Sequence, residues 1–169
     1  VTAKSPQTGF LGDGNAGGHF GPEMHFAGWD QIVVHGAAAE PVYLLLADGL
    51  AELRPAGHLW GLDVWQTTDA IRTELGDPGV QVLAIGPAGE AGVRFAGAVT
   101  GHSRVAARTG MGAVMGAKRL KAVAVRASGR RMRLYDPTTF AALVAQIDHD
   151  ILAHPGFDSR TKLGTTALV

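Results

Sequence analysis

Residues 111–125 read Met111-Gly112-Ala113-Val114-Met115-Gly116-Ala117-Lys118-Arg119-Leu120-Lys121-Ala122-Val123-Ala124-Val125. Small residues and methionines come first, then Lys118-Arg119, then Leu120 to Val125, apolar but for Lys121, which is the pattern of a short helix feeding a buried strand. A second stretch shares this skeleton: Phe20-Gly21-Pro22-Glu23-Met24, running on to Trp29-Asp30-Gln31-Ile32-Val33-Val34. Gly21 matches Gly112, Met24 matches Met115, Trp29 matches Leu120, Ile32 matches Val123 and Val34 matches Val125, each pair 91 positions apart. A lead-in of small residues precedes each copy, Gly12–Gly18 before the first and Arg104–Gly110 before the second. Two copies of loop, short helix and buried strand imply a duplicated domain with pseudo-twofold symmetry, able to hold one large polar ligand between its two loops.

The rest of the chain is read outward from this repeat. Strands are expected at 31–35, 41–47, 51–54, 80–85, 93–99 and 121–126, because these runs are short, apolar or alternating, and bounded by turn residues. Asp48-Gly49 between two of them marks a tight hairpin. One helix is expected from Asp63 as N-cap, with Gln66 three residues on, to Gly76, burying Val64, Thr68, Ile71 and Leu75. Another is expected from Asp136 with Pro137 at its first position, burying Phe140, Leu143, Val144, Ile147 and Ile151 and ending at Pro155-Gly156. A basic connector, Arg126 to Arg133, joins the second repeat to that helix and reads as a solvated link. Hairpins and short helices mix without strict strand–helix alternation, so the fold is expected to be α+β with two mixed sheets rather than a doubly wound parallel sheet.

Composition narrows the function classes. The chain has 169 residues, 46% apolar and 18% charged, enough for a packed domain. Fifteen basic residues balance fifteen acidic ones, which argues against a general nucleic-acid binder. There is no cysteine, so disulfides, zinc-thiolate sites and iron–sulfur ligation from within this chain are excluded. No apolar run approaches the ~18 residues of a membrane span, and no signal peptide is visible, so a cytoplasmic protein is expected. The first residue is Val1 rather than Met and the last lie in an apolar run, so the reading expects a piece of a longer protein.

Several motifs admit a plain structural explanation. Gly12-Asp13-Gly14-Asn15-Ala16-Gly17 matches G-x-G-x-x-G, but turn chemistry (Ser5 to Gly9) precedes it, and His35 stands where an acidic ribose ligand would be expected. Gly86-Pro87-Ala88-Gly89-Glu90 follows a strand, yet Pro87 lacks the N–H a phosphate would use, so a structural turn is favoured. Arg104 and Arg108 lie among small residues, an arrangement that suits phosphate oxygens, with two solvated arginines as the plain alternative. Seven scattered histidines, His19 and His25 among them, show no metal-ligand spacing, and no Ser, His and Asp grouping signals a nucleophile.

Six ordered motifs carry a resemblance: Ala3-Lys4-Ser5-Pro6-Gln7-Thr8-Gly9, Asn15-Ala16-Gly17-Gly18-His19-Phe20-Gly21, Phe26-Ala27-Gly28-Trp29-Asp30, His58-Leu59-Trp60-Gly61, Ile85-Gly86-Pro87-Ala88-Gly89-Glu90 and Gly110-Met111-Gly112-Ala113-Val114-Met115-Gly116-Ala117-Lys118. Together they resemble the N-terminal domain of the tungsten-containing aldehyde ferredoxin oxidoreductases. The resemblance runs to about residue 126 and more loosely to Gly164-Thr165-Thr166. It implies residues 1–130 as that domain, truncated at its N-terminus, and 131–169 as a connector and the first helix of a following α-helical domain. It further implies a tungstopterin or molybdopterin cofactor with two pterins, and a magnesium ion bridging their phosphates. Asn15, Ala16, Gly17 and Gly18 would then line one pterin and Arg104, Val105, Ala106 and Ala107 the other. Backbone carbonyls of Asn15 and Val105 would bind the magnesium.

The activity implied for the full-length protein is oxidation of aldehydes to carboxylic acids. Electrons would leave through a [4Fe–4S] cluster, held by parts outside this chain, to ferredoxin. A homodimer is a further expectation. The resemblance places glycine in the second loop where Ala107 and Thr109 stand here, so either residue carries strain if its position needs φ > 0. Two other readings are a non-catalytic or degenerate cofactor-binding module and a nucleotide-binding α/β domain using residues 12–18.

Overall fold

A computed structural model of the chain describes residues 1–129 and 134–168. The chain divides into two compact units, Val1–Arg131 and Met132–Val169. Half of the expected basic connector, 130–133, lies outside the described residues. Within them, Arg126 pairs with Asp77 at 2.8 Å.

The first unit begins with a two-stranded antiparallel ribbon, β1 (Thr2–Lys4) and β2 (Leu11–Asp13), followed by helix α1 (Phe20–Phe26). A hairpin of β3 (Val42–Ala47) and β4 (Leu50–Pro55) comes next. Its turn residues Asp48 and Gly49 have φ of 46° and 82°, the paired positive values that the sequence signal predicts. Helix α2 (Val64–Leu75) opens on a full capping box between Asp63 and Gln66 and closes at Gly76 with φ 64°. Then follow β5 (Gln81–Ala84), the single turn α3 (Pro87–Glu90), β6 (Ala98–Thr100), β7 (Arg104–Ala106), α4 (Met111–Ala117) and β8 (Leu120–Arg126).

Six strands form one mixed sheet in the order β4-β3-β8-β5-β6-β7. Only β3 and β8 run parallel; every other pair is antiparallel. The fold is therefore α+β, with one mixed sheet and one small antiparallel ribbon. Helices cover both faces of the large sheet. Tyr43, Val82, Ala84, Ala122 and Ala124 pack with Ile71 of α2 on one side, and Leu46, Leu83, Val123 and Val125 pack with Met115 of α4 and with Met24 of α1 on the other. The central strand β8 has six of its seven residues buried, which is why Leu120 to Val125 is apolar at every position but Lys121. Each large side chain removed from water there contributes about 1.5–3 kcal/mol.

The 91-residue repeat holds in the helices and ends after them. α1 and α4 are both seven residues long, with Gly21 and Gly112 at the second position and Met24 and Met115 at the fifth. The strands expected after them differ. β8 is paired on both edges, whereas residues 31–35 form no strand. Val33 is 64% exposed, and among the described residues no backbone–backbone hydrogen bond reaches 31–36. Propensity alone does not make a strand without a neighbour to complete its ladder.

The strand expected at 93–99 is likewise reduced to Ala98–Thr100. The Ala96 carbonyl accepts from Gly112 N–H at 2.8 Å, so this backbone is held against α4 instead of a strand. That approach leaves no room for side chains: a Cβ on Gly112 would stand 2.8 Å from the Ala96 carbonyl oxygen, and one on Gly89 2.9 Å from the Gly112 carbonyl oxygen. The Gly86–Glu90 motif is thus a structural turn, as its proline suggested.

The second unit contains α5 (Pro137–Ala153) and α6 (Phe157–Leu163) with a final 3₁₀ turn, Gly164–Leu168. Asp136 caps α5 through the N–H groups of Thr138 and Thr139, both at 3.0 Å. Its apolar stripe does not become a buried face here. Phe140, Leu143, Val144, Ile147 and Ile151 are 40–56% exposed, because two helices alone present too little apolar surface to cover it.

Candidate functional site

The two loops singled out in sequence lie side by side. A Cβ placed on Gly14 would stand 3.2 Å from the Arg108 carbonyl oxygen and 3.4 Å from Ala106 Cβ. One placed on Gly18, whose φ is 93°, would stand 3.2 Å from Arg104 Cγ. The sequence separates these residues by about 90 positions; the ribbon and β7 bring them together. Gly12 does the same one step earlier, where a Cβ would reach Thr109 Cβ at 2.7 Å. These glycines serve backbone-to-backbone approach between the loops.

Ser5 locks the junction. Its hydroxyl donates to the Thr109 carbonyl at 2.8 Å and accepts from the N–H groups of Gln7 and Thr8 at 3.1 Å each. Ser5 is 1% exposed, so all three bonds form away from water and hold the turn chemistry of Ser5-Pro6-Gln7-Thr8-Gly9 against the second loop. Of the two positions where glycine would be expected, Ala107 is relaxed at φ −88°, while Thr109 sits in the left-handed region at φ 64°. Strain in this loop is concentrated at one β-branched residue.

The expected site residues fall as follows. Asn15, Ala16, Gly17 and Gly18 are all exposed, in the irregular segment between β2 and α1. Arg104 and Val105 are exposed on β7, Ala107 is exposed just beyond it, and Ala106 is fully buried against Gly14. Gly17 faces open space, with no atom within 4 Å of a Cβ built there. Asn15 donates from Nδ2 to Asp13 Oδ2 at 3.3 Å, and Asp13 also accepts from Thr2 Oγ1 at 2.7 Å. Asn15 and Ala16 also border a cavity of about 470 Å³, walled by Met24 of α1, Met111 and Met115 of α4, and Leu83 and Val123 of the sheet.

The fit to a large anionic cofactor rests on these facts. Both loops present exposed backbone, open space stands over Gly17, and Arg104 rises from β7 beside Gly18. Residues 12–18 do not fit a dinucleotide, since β2 belongs to an antiparallel ribbon and no long helix opens at Gly17.

Sequence reasoning missed three positions. Lys118 Nζ donates to the carbonyls of Val34 at 3.1 Å and Gly36 at 2.9 Å, tying the second copy to the first. Thr100 lines the cavity with a buried hydroxyl that has no hydrogen-bond partner among the described residues. Lys121, fully buried on β8, donates to Glu90 and, at 2.7 Å, to the Leu62 carbonyl, while Glu90 accepts from Gly61 N–H at 2.9 Å. That node ties the His58–Gly61 and Ile85–Glu90 motifs to strand β8. A lone lysine in an apolar strand was the available signal for Lys121.

Residues 1–127 match the family described as aldehyde ferredoxin oxidoreductase, N-terminal domain. The tungsten-containing aldehyde ferredoxin oxidoreductase of Thermococcus kodakarensis is 44% identical and that of Pyrococcus furiosus 43%, each over the whole of this chain and 28% of the relative. The aliphatic sulfonate oxidoreductase WOR-like subunit of Pyrococcus furiosus is 31% identical over 93% of the chain and 27% of its own length. Among solved structures, the active site complex BamBC of benzoyl coenzyme A reductase, in complex with 1,5-dienoyl-CoA, is similar with a TM-score of 0.79 and 37% identity, covering 89% of this chain and 23% of that one. The chain spans little more than a quarter of the curated relatives it matches. It belongs to the aldehyde ferredoxin oxidoreductase N-terminal domain family.

Proposed function

We propose that this chain is the cofactor-holding base of a cytoplasmic, tungsten-dependent oxidoreductase that, at full length, oxidises aldehydes to carboxylic acids and passes electrons through an iron–sulfur cluster to ferredoxin. The observation that carries this reading is the abutment of the two repeat-derived loops, Gly14–Gly18 against Arg104–Arg108, in a chain of this family. When bound, a bis-pterin tungsten cofactor would supply the two-electron chemistry and its relay. The residues here bind and orient it. Gly17 and Gly18 give close backbone approach on one side. Arg104 offers a planar fork for phosphate oxygens on the other, with the exposed Val105 and Ala107 leaving backbone accessible and the buried Ala106 seating the loop against Gly14. Backbone carbonyls of Asn15 and Val105 are the proposed magnesium ligands, oxygen donors that suit a hard cation. Molybdenum in place of tungsten and a homodimer of the full-length protein belong to the same proposal. Aldehyde is favoured as substrate because the relatives named for it are 42–44% identical, against 31% for the sulfonate enzyme.

The test uses the full-length protein. A charge-assisted bidentate contact contributes roughly 2–3 kcal/mol, so Arg104→Ala is expected to weaken cofactor binding ~30–150-fold. Arg104→Lys recovers part of this, since a point charge cannot replace the fork. Arg131→Ala, in the connector, serves as control. Metal per protomer after gel filtration is the readout. Wild-type occupancy in Arg104→Ala, or equal loss in Arg131→Ala, would remove the second loop from the site.

A further inference from the structure

Val105, whose carbonyl is a proposed magnesium ligand, sits in β7, at the end of the six-strand order. Its ladder is with β6 alone, through Ala98↔Ala106, Val99↔Val105 and Thr100↔Arg104. A strand at the edge of a sheet is held by hydrogen bonds on one side only. Its exact position is therefore set by packing, and the packing lies just before β6.

Gly97 supplies it. A Cβ built on Gly97 would stand 2.8 Å from Val105 Cγ1, 3.1 Å from the Ala106 carbonyl oxygen and 3.3 Å from Ala107 Cα. Gly97 is not among the glycines of positive φ, so its backbone conformation does not demand glycine. The position demands the missing Cβ, because Val105 Cγ1 fills that room. Gly97 also has no way to retreat. The Ala96 carbonyl accepts from Gly112 N–H at 2.8 Å, and a Cβ on Gly112 would collide with the Gly97 carbonyl. α4 bears in turn on α3, where a Cβ on Gly89 would stand 2.9 Å from the Gly112 carbonyl oxygen. α3 ends at Glu90, which Lys121 and Gly61 hold. On the far side, a Cβ on Gly14 would stand 3.4 Å from Ala106 Cβ. Residues 105–107 thus occupy a slot with one wall at Gly97 and the other at Gly14.

We infer that Gly97 and Val105 are a size-matched positioning pair: the side chain absent from one admits the branched side chain of the other, and together they set the height of the second loop, with the Arg104 fork and the Val105 carbonyl on it. The inference rests on the cofactor reading given above, and it asks neither side chain to touch the cofactor. Gly97 lies in none of the six motifs. In a close-packed slot even one added methyl group is felt. Magnesium demands near-ideal octahedral geometry, so a small shift matters at a ligand carbonyl where an apolar contact would absorb it.

The test uses the full-length protein. Loss of tungsten and magnesium into EDTA buffer is timed by elemental analysis. Melting temperatures are taken on the loaded protein and on metal-free protein from cells grown without tungstate or molybdate. Gly97→Ala is expected to speed metal loss ~10-fold, as a sub-ångström misplacement of binding groups does. It is also expected to lower the melting temperature of the loaded form more than that of the metal-free form. Adding Val105→Ala removes Cγ1, keeps the carbonyl, and is expected to bring metal loss back to within ~3-fold of wild type. Gly79→Ala, whose Cβ would meet only the Asp77 side chain, is the control and should release metal as wild type does. Wild-type release in Gly97→Ala overturns the inference, and so does equal lowering of the two melting temperatures. If Gly97→Ala does not fold, the double variant decides: slow release supports the pair, whereas release ~10-fold faster than wild type, or failure to fold with the clash removed, overturns it. Wild-type protein without metal would sink the cofactor reading instead, so the two failures are told apart.

Discussion

Ser5 Oγ donates to the carbonyl oxygen of Thr109 at 2.8 Å, joining residues 104 positions apart. The bond fixes the one residue of the second loop that holds a left-handed backbone without being glycine. Thr109 has φ 64° and its own hydroxyl is turned back onto the Arg108 carbonyl at 2.6 Å. A β-branched residue in that region costs about 1–3 kcal/mol, offset in part by the Ser5 bond. Thr109→Gly is therefore expected to raise the urea midpoint of the full-length protein by the equivalent of ~0.5–2 kcal/mol. Ser5→Ala strands the Thr109 carbonyl and two N–H groups and is expected to lower it by about 2–3 kcal/mol. A lower midpoint in Thr109→Gly would show that the loop is unstrained.

Gly17 separates the needs of the fold from those of a ligand. Nothing lies within 4 Å of a Cβ there, and its φ is not among the positive values of the chain. Gly17→Ala should leave thermal stability within about 0.5 kcal/mol while reducing metal content of the full-length protein. Full metal occupancy in this variant would mean that no pterin approaches the first loop at Gly17.

The buried pair of Lys121 and Glu90 gives a coupled prediction. Lys121 is 0% and Glu90 side chain 7% exposed, and each holds a further backbone partner. Lys121→Met leaves a buried carboxylate without its cation and is expected to destabilise by about 3–5 kcal/mol. Adding Glu90→Gln should restore a substantial part of the loss, giving a coupling energy above ~1 kcal/mol in a double-mutant cycle. Additive losses would show that the two side chains act independently.

Tyr43 makes stability depend on alkaline pH. Burial, and then the bond its hydroxyl donates to Glu74 at 2.7 Å, push its pKa up to about 12. The unfolded tyrosine, at about 10, releases its proton first, so the contribution is fully present below pH ~10 and is lost as pH rises toward ~12. Tyr43→Phe should flatten that part of the urea-midpoint profile between pH 10 and 12. An unchanged slope would place the titration elsewhere.

How much of this was legible in the sequence depends on where each residue's partner sits. Asp63 with Gln66, Asp136 with Pro137, and Asp48-Gly49 act on their own neighbours, so capping and turn chemistry located α2, α5 and the β3–β4 hairpin. The helices at Met24 and Met115 were legible from spacing alone. Residues 31–35 misled because an apolar, β-prone run forms no strand without a neighbour to pair with, and none pairs with it among the described residues. The short strands β1, β2 and β7 carry three residues each, too few for a periodic signal. At the site, the loops were found through their small residues, but the roles of Ser5, Thr100 and Lys118 were not, since Ser5 and Lys118 act through residues 82 or more positions away and Thr100 is marked by having no hydrogen-bond partner among the described residues.

The bracing of the two loops bears on the entropy of ligand capture. Gly14 against Ala106, Gly18 against Arg104 and Ser5 against Thr109 set the mouth of the site from contacts within the polypeptide alone. A ligand entering such a mouth does not have to freeze two mobile segments, so more of its contact energy survives as affinity. An emptied protein would keep the spacing of its loops, and reloading would be limited by delivery of the cofactor rather than by refolding of its seat.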